Sequence, residues 1–358
     1  MLAPYLLLGL LPVLLWVGLL SEIVDRGALA YDFHEFFYPQ ARDLIEGRTP
    51  TTAYPPLTTL FYVPFALLPV GAADVVITAT MILCAGATLG VLGIRDWRCY
   101  GAAALWLPVY GGVQTANVSL VLALGVAALW RFRDRAPAAG VLVALMVAGK
   151  LFLWPLAGWL AATRRWRAAA IMVGIGLLAS AAAWALIDFE TVRRFPQLVR
   201  GNVVDVGTQP YTVVALLRQL GAPQAVAYAT CWAAGVAVFF TAVRAARRGH
   251  DAASLALFLG VALLVSPVVW SHYLALLLVP VALTRPTFSR LWLAPLPLWV
   301  CPPVDAAVPQ KILLLVVGAA ILGYCARDRM RAGPSGPDAE PRRDAPPRAG
   351  GTQSVPAT

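Results

Sequence analysis

The sequence predicts an all-α polytopic membrane protein of about twelve transmembrane helices with two large extracytoplasmic loops. Three observations lead there. Of 358 residues, 60% are hydrophobic and only 13% charged, against about 25% charged in a typical soluble domain. The apolar runs are continuous and rich in Leu, Ala and Val, whereas the strands of a transmembrane barrel alternate apolar and polar residues. Finally, arginines cluster between the apolar runs, at Arg95 and Arg98 and within 131–135, 164–167, 244–248, 285–290 and 327–331. The positive-inside rule puts all six clusters in the cytoplasm. The net charge of +10 is then loop charge, which makes nucleic acid a poor candidate partner.

The elements follow in order from that bookkeeping. Residues 2–20 are apolar, and Ala28-Leu29-Ala30 resembles a signal-peptidase site. No Lys or Arg precedes the run, and Glu22, Asp25 and Arg26 separate it from that site, so it is expected to stay as a first transmembrane helix. Each apolar stretch between two inside clusters must go out and return. Residues 100–130 turn near Gln114 to Asn117, 137–162 near Lys150, 253–284 near Ser266 to His272, and 291–324 near Pro302-Pro303. Residues 168–243 hold two long runs around an outer loop at 188–224. With the first helix and one crossing before Arg95, the count is twelve, with both termini inside. One transmembrane domain, 1–331, carries outer loops at about 21–56 and 188–224. Residues 332–358, rich in Pro, Gly, Arg and Asp, read as a disordered cytoplasmic tail.

Several hairpin arms are short: about 13 residues reach ~20 Å, less than the ~30 Å hydrocarbon core. Polar turns stopping at that depth must line a cavity or be buried in protein. Gln114, Asn117, Lys150 and His272 are therefore expected around an outward-facing cavity. A lysine inside an apolar run costs about 2.5 to 3.5 kcal/mol on insertion scales, and such residues are normally paired or functional. Lys150 is a compact cation suited to a phosphate. His272, beside Trp270 and Tyr273, fits an interfacial aromatic belt as well as a site. Gln114 and Asn117 fit inter-helix hydrogen bonding as well as ligand binding.

The segment 31–56 is the most polar in the apolar part of the chain. Asp32 and Glu35 lie three apart and would share a face of a regular helix. Asp32, among Tyr31, Phe33 and Phe36, is the better general-base candidate, because partial desolvation raises a carboxylate's pKa. Glu35 is its candidate aide, and Asp43 and Glu46 read as surface charges. The five cysteines show no CxxC spacing, which argues against a disulfide framework or metal site. There is no HExxH, GxSxG or phosphate-binding loop.

The order of these features resembles a known family. A first helix is followed by Tyr31-Asp32-Phe33 and Tyr38, Gly47, Tyr54-Pro55-Pro56-Leu57, Gln114 with Asn117, Lys150, and Ser266-Pro267 before Trp270 and His272. This is similar to the polyprenyl-phosphate-dependent mannosyltransferases of glycosyltransferase family 87, in the GT-C superfamily, from residue 2 to about 324. The resemblance implies an inverting enzyme of the plasma membrane with its site on the extracytoplasmic side. It would move mannose from a polyprenyl monophosphate to a glycolipid or polysaccharide acceptor. Asp32 would be the general base, Lys150 would stabilise the phosphate leaving group, and His272 would contact that phosphate or the sugar. Gln114 and Asn117 would line the sugar pocket, with Tyr54 also on the donor side. No metal or cofactor is implied, since a lipid monophosphate is a competent leaving group.

Departures from the family pattern are Leu151 where Pro often follows the lysine, Tyr273 where a second His or polar residue stands, and the run at 202–205. There Asn202-Val203-Val204-Asp205, with Gln209-Pro210-Tyr211 after it, replaces an expected Asn-Gln-Ser. Asn202 and Gln209 are accordingly placed, with Glu35, on the acceptor side. Two alternatives stay open: arabinofuranose transfer by the same fold, and a transporter or flippase of a lipid-linked sugar. The latter is disfavoured by the lack of a clear inverted repeat.

Overall fold

A computed structural model of the protein describes residues 2–25, 27 and 29–333. Ala28 of the signal-peptidase-like tripeptide and residues 334–358, nearly all of the expected tail, lie outside them. Every regular element among the described residues is helical.

The expected twelve crossings are not found. Five helices are long and apolar enough to span a bilayer: Ala3–Glu22, Val70–Val91, Trp166–Ile187, Gln224–Arg247 and Val308–Arg331. A sixth span arises only if Leu107–Gln114 and Ser119–Arg131 are counted together, and these are bent by 120° at their junction. The other apolar stretches break into shorter pieces. Ala136–Gly149 has 14 residues, Pro155–Ala162 has 8 and Asp251–Val265 has 15. At 1.5 Å per residue such helices reach about 12 to 22 Å, short of the ~30 Å core. Arginine bookkeeping counts each excursion from one cluster to the next as two crossings, because it does not register depth.

The two large outer loops are also corrected. Residues 21–56 contain the π-helical turn Phe33–Phe37 and the helix Tyr38–Ile45. Residues 188–224 contain Glu190–Val206 and Val213–Gln219. Both stretches are largely helical.

Ion pairs fix which ends of the short helices lie together. Arg165 reaches Asp134 and Asp251, each at 2.8 Å. Residues 134 and 165 flank the stretch that holds Lys150, so that stretch is a hairpin with Lys150 near its tip. Asp96 pairs with Arg98 at 2.8 Å and accepts the Phe288 N–H at 2.9 Å. Arg285 pairs with Asp328 at 2.8 Å.

Large aromatics fill the core between these helices. Trp106, Trp159 and Trp292 are fully buried. A buried indole N–H needs a partner. Trp106 donates to the Trp292 carbonyl at 2.8 Å and Trp159 to Ser254 Oγ at 3.0 Å. The Trp166–Ile187 helix buries only Ala168 and Ala183, as expected of a helix that faces lipid on most sides. The first helix approaches the bundle through Gly101, where a Cβ would stand 1.8 Å from the Leu8 carbonyl oxygen.

Candidate active site

The site forms where three interrupted helices end, away from the arginine clusters. The break between Leu107–Gln114 and Ser119–Arg131 comes first. Ala116 adopts φ 50°, a left-handed conformation uncommon for a residue with a Cβ. The turn it makes exposes carbonyls that neighbouring segments use. Phe33 N–H donates to Thr115 O at 3.2 Å, and Tyr62 Oη donates to Ala116 O at 2.9 Å. The segment that follows the first helix is thereby docked onto the break.

Asn117 follows, fully buried. Its Oδ1 accepts the Ser119 N–H at 3.3 Å and its Nδ2 donates to Asp32 Oδ2 at 2.7 Å. The two bonds together set which way the amide faces. Asp32 itself is half-buried at the start of the helical segment that contains the Phe33–Phe37 π turn. Burial raises the pKa of its carboxyl above the ordinary 3.8, while the Asn117 hydrogen bond and the Lys150 charge pull it back. A base poised in this way is better suited to take a proton near neutral pH than a solvated carboxylate.

Lys150 comes from the second break. The helix Ala136–Gly149 stops at Gly149, whose free carbonyl accepts from Thr58 Oγ1. Lys150 is extended, with φ −143° and ψ 97°, and a tight turn at Leu151–Leu153 leads to Pro155 at the start of the next helix. The side chain is 5% exposed, and its Nζ has no hydrogen-bond partner. It lies 4.7 Å from the centre of the Tyr54 ring and 4.8 Å from that of Tyr273. Two aromatic faces offer a desolvated ammonium partial compensation, and its three donors remain available to an anion.

Aromatic packing links the two halves. Tyr54 packs on Phe37 at 5.0 Å, and Phe37 stacks on Tyr62 at 4.3 Å. Phe152 stacks on Tyr273 at 5.1 Å. His272 enters from the third break, between Asp251–Val265 and the helical turn Ser271–Leu277. It is buried against Gly111 and Tyr273, and its Nε2 has no hydrogen-bond partner. Such orphaned buried polar atoms are rare in finished cores. Lys150 and His272 carry two of the seven found among the described residues, and Ser119, beside Asn117, carries another.

The structure therefore brings Asp32, Asn117, Lys150, Tyr54 and His272 into one neighbourhood. Gln114 ends the helix leading to the break and is half-buried. Glu35 is exposed. It lies inside the Phe33–Phe37 π turn, which Asp32 immediately precedes. Asn202 is half-buried on the Glu190–Val206 helix, and Gln209 is half-buried two residues before Tyr211. Tyr211 N–H donates to Val269 O at 2.7 Å and Tyr211 Oη to Pro302 O. Among the described residues no hydrogen bond joins Asn202 or Gln209 to Asp32, Asn117 or Lys150.

Sequence reading alone did not assign roles to Tyr273, Tyr62 or Lys311. Tyr273 completes the lysine cage, and Tyr62 holds the Ala116 turn. Lys311 is 1% exposed and donates to the Thr208 carbonyl, which fixes the stretch leading to Gln209. Its place near the start of an apolar run was the available signal. Asp43 and Glu46 form surface pairs with Arg48 and Arg42. Among the described residues no group of three or more His, Cys, Asp or Glu is placed to hold a metal.

The model of glycosyltransferase family 87 matches residues 52–267, more than half of the chain. Tyr54, Gln114, Asn117, Lys150, Asn202 and Gln209 fall inside the matched stretch, and Asp32, Glu35 and His272 fall outside it. No curated protein and no solved structure matches the chain. With its five candidate spans and this match, the chain is a multi-pass membrane glycosyltransferase belonging to family 87 of the GT-C superfamily.

Proposed function

We propose that the protein transfers mannose, with inversion, from a polyprenyl monophosphate to a lipid or glycan acceptor on the extracytoplasmic side of the plasma membrane. The observation that carries this reading is the nearness of two unlike groups. A carboxylate held by Asn117 stands near a buried ammonium that has no hydrogen-bond partner.

In the proposed reaction the acceptor oxygen attacks the anomeric carbon while its proton passes to Asp32. The bond from that carbon to the phosphate oxygen breaks, and the electron pair leaves with the polyprenyl phosphate. Lys150 stabilises the charge that develops on this leaving group, which is the role of a preorganised cation. His272 supplies a further hydrogen-bonding group to the phosphate or sugar. Asn117 orients the base, Tyr54 holds the lysine, and Gln114 lines the sugar side. Asn202 and Gln209 are assigned to the acceptor approach. The cytoplasmic placement of the arginine-rich end rests on the positive-inside rule.

Membranes containing the protein should transfer label from radiolabelled polyprenyl-phosphate-mannose to an endogenous lipid or glycan acceptor. The same membranes should not use GDP-mannose directly when synthesis of polyprenyl-phosphate-mannose is blocked. Transfer from the nucleotide sugar under that block would overturn the donor assignment. Faster transfer from polyprenyl-phosphate-arabinofuranose would replace mannose as the sugar.

A further inference from the structure

The helix Glu190–Val206 is held by its own chain along one side only. Thr191 is its only buried residue, Phe195, Leu198, Val199, Asn202, Val203 and Val206 are half-buried, and Pro196 lies inside it. An internal proline removes a backbone donor, and a helix of this length is marginal in water without a surface to pack on. Its sequence is two-faced. Val192, Phe195, Val199 and Val206 recur at helical spacing on one side, while Arg193, Arg194 and Arg200 lie off that face. All three arginines are exposed, and none has an ion-pair partner among the described residues.

Its position is set by what precedes it. The spanning helix Trp166–Ile187 ends two residues earlier. Asp188 then caps the new helix, accepting the Glu190 N–H at 2.9 Å and the Thr191 hydroxyl at 3.2 Å. The chain leaves the bilayer and at once starts an amphipathic helix, so this helix begins at the membrane surface. Phe195 packs edge-on against Trp184 at 5.4 Å. Both line a cavity of about 80 Å³ with Pro55, Ala148 and Leu151, which places the helix at the same end of the molecule as Lys150.

We propose that Glu190–Val206 lies flat in the bilayer interface, with Val192, the exposed edge of its apolar face, at the acyl boundary and Arg193, Arg194 and Arg200 on the phosphates of anionic lipid headgroups. The composition fits an interfacial helix, and the charge complements such a surface. The proposal is independent of which sugar is transferred or whether transfer occurs.

The test uses the full-length protein in nanodiscs of phosphatidylcholine with a fraction of phosphatidylglycerol. All five native cysteines are buried, so a fluorophore on Val192→Cys reports this helix alone. Brominated lipid should quench it and aqueous iodide should not. In a second arm, native mass spectrometry counts phosphatidylglycerol retained by wild type and by the Arg193→Gln/Arg194→Gln/Arg200→Gln variant. Each arginine removed should weaken the preference for phosphatidylglycerol about fivefold, and raised salt should weaken it in wild type. Quenching by iodide but not by brominated lipid would overturn the proposal. So would a label shielded from both quenchers, which would mean that protein covers this face. Equal retention by both proteins would overturn the lipid-binding role of the arginines.

Discussion

Asn117 and Asp32, 85 positions apart in sequence, are joined by a 2.7 Å hydrogen bond from the buried amide to the carboxylate. The bond ties the segment after the first helix to the break in the Leu107–Arg131 stretch and aims the proposed base. Its strength is set from behind, since the same amide is anchored on the Ser119 N–H.

Removing that amide with Asn117→Leu has two consequences of definite sign. A hydrogen bond to a charged group contributes about 1.5 to 3 kcal/mol, so transfer should fall by roughly 10- to 100-fold. The pH profile should also move. Asp32 works as a base only when ionised, so activity falls as pH drops through its pKa. Burial already raises that pKa above 3.8 and Asn117 lowers it. The acid limb of wild type should therefore lie above that of an ordinary carboxylate, and higher still in Asn117→Leu. Rate against pH checks both, and an unmoved limb in the variant would count against Asp32 as the titrating group.

Lys150→Met separates a functional cation from a structural one. The side chain is buried and its Nζ unbonded, so replacing it with an apolar side chain of similar length removes a desolvation penalty. Thermal stability should hold or rise. Transfer should fall by about 10²- to 10³-fold, as on loss of a group that stabilises developing negative charge. A variant that loses stability along with activity would instead make Lys150 a structural residue.

Sidedness follows from two positions at opposite ends of the helices. Arg48 follows the Tyr38–Ile45 helix, and Asp134 lies beside Arg165 at the arginine-rich end, with side chains 58% and 71% exposed. In intact cells a membrane-impermeant thiol reagent should label Arg48→Cys and should reach Asp134→Cys only after permeabilisation. The reverse pattern would invert the molecule and place the site in the cytoplasm.

The places where the chain turns were legible in the sequence, but the depth of the turns was not. Gly149-Lys150 interrupts an apolar run with a flexible residue and a charge, and the helix ends there. Gln114 to Asn117 and Ser266 to His272 interrupt their runs in the same way, and both helices break. Counting crossings failed because a helix of 8 residues and one of 22 look alike to a rule that reads only the charges between them. The pairing of Asn117 with Asp32 was hidden for a different reason. It depends on the left-handed turn at Ala116, where a glycine would have been the recognisable signal. The tyrosine cage was hidden because aromatic residues in membrane proteins usually face lipid or packing partners, and the spacing of Tyr54 and Tyr273 shows no relation to Lys150.

The central claim is that Asp32 takes a proton from the acceptor, which a protein that only binds or moves a lipid-linked sugar would not require. The direct measurement compares wild type and Asp32→Asn, equally inserted, for binding of polyprenyl-phosphate-mannose and for its transfer. The amide keeps the size and a hydrogen-bonding oxygen for Asn117 but cannot accept the proton. Donor binding should be largely retained and transfer abolished. Full transfer by Asp32→Asn would contradict the account.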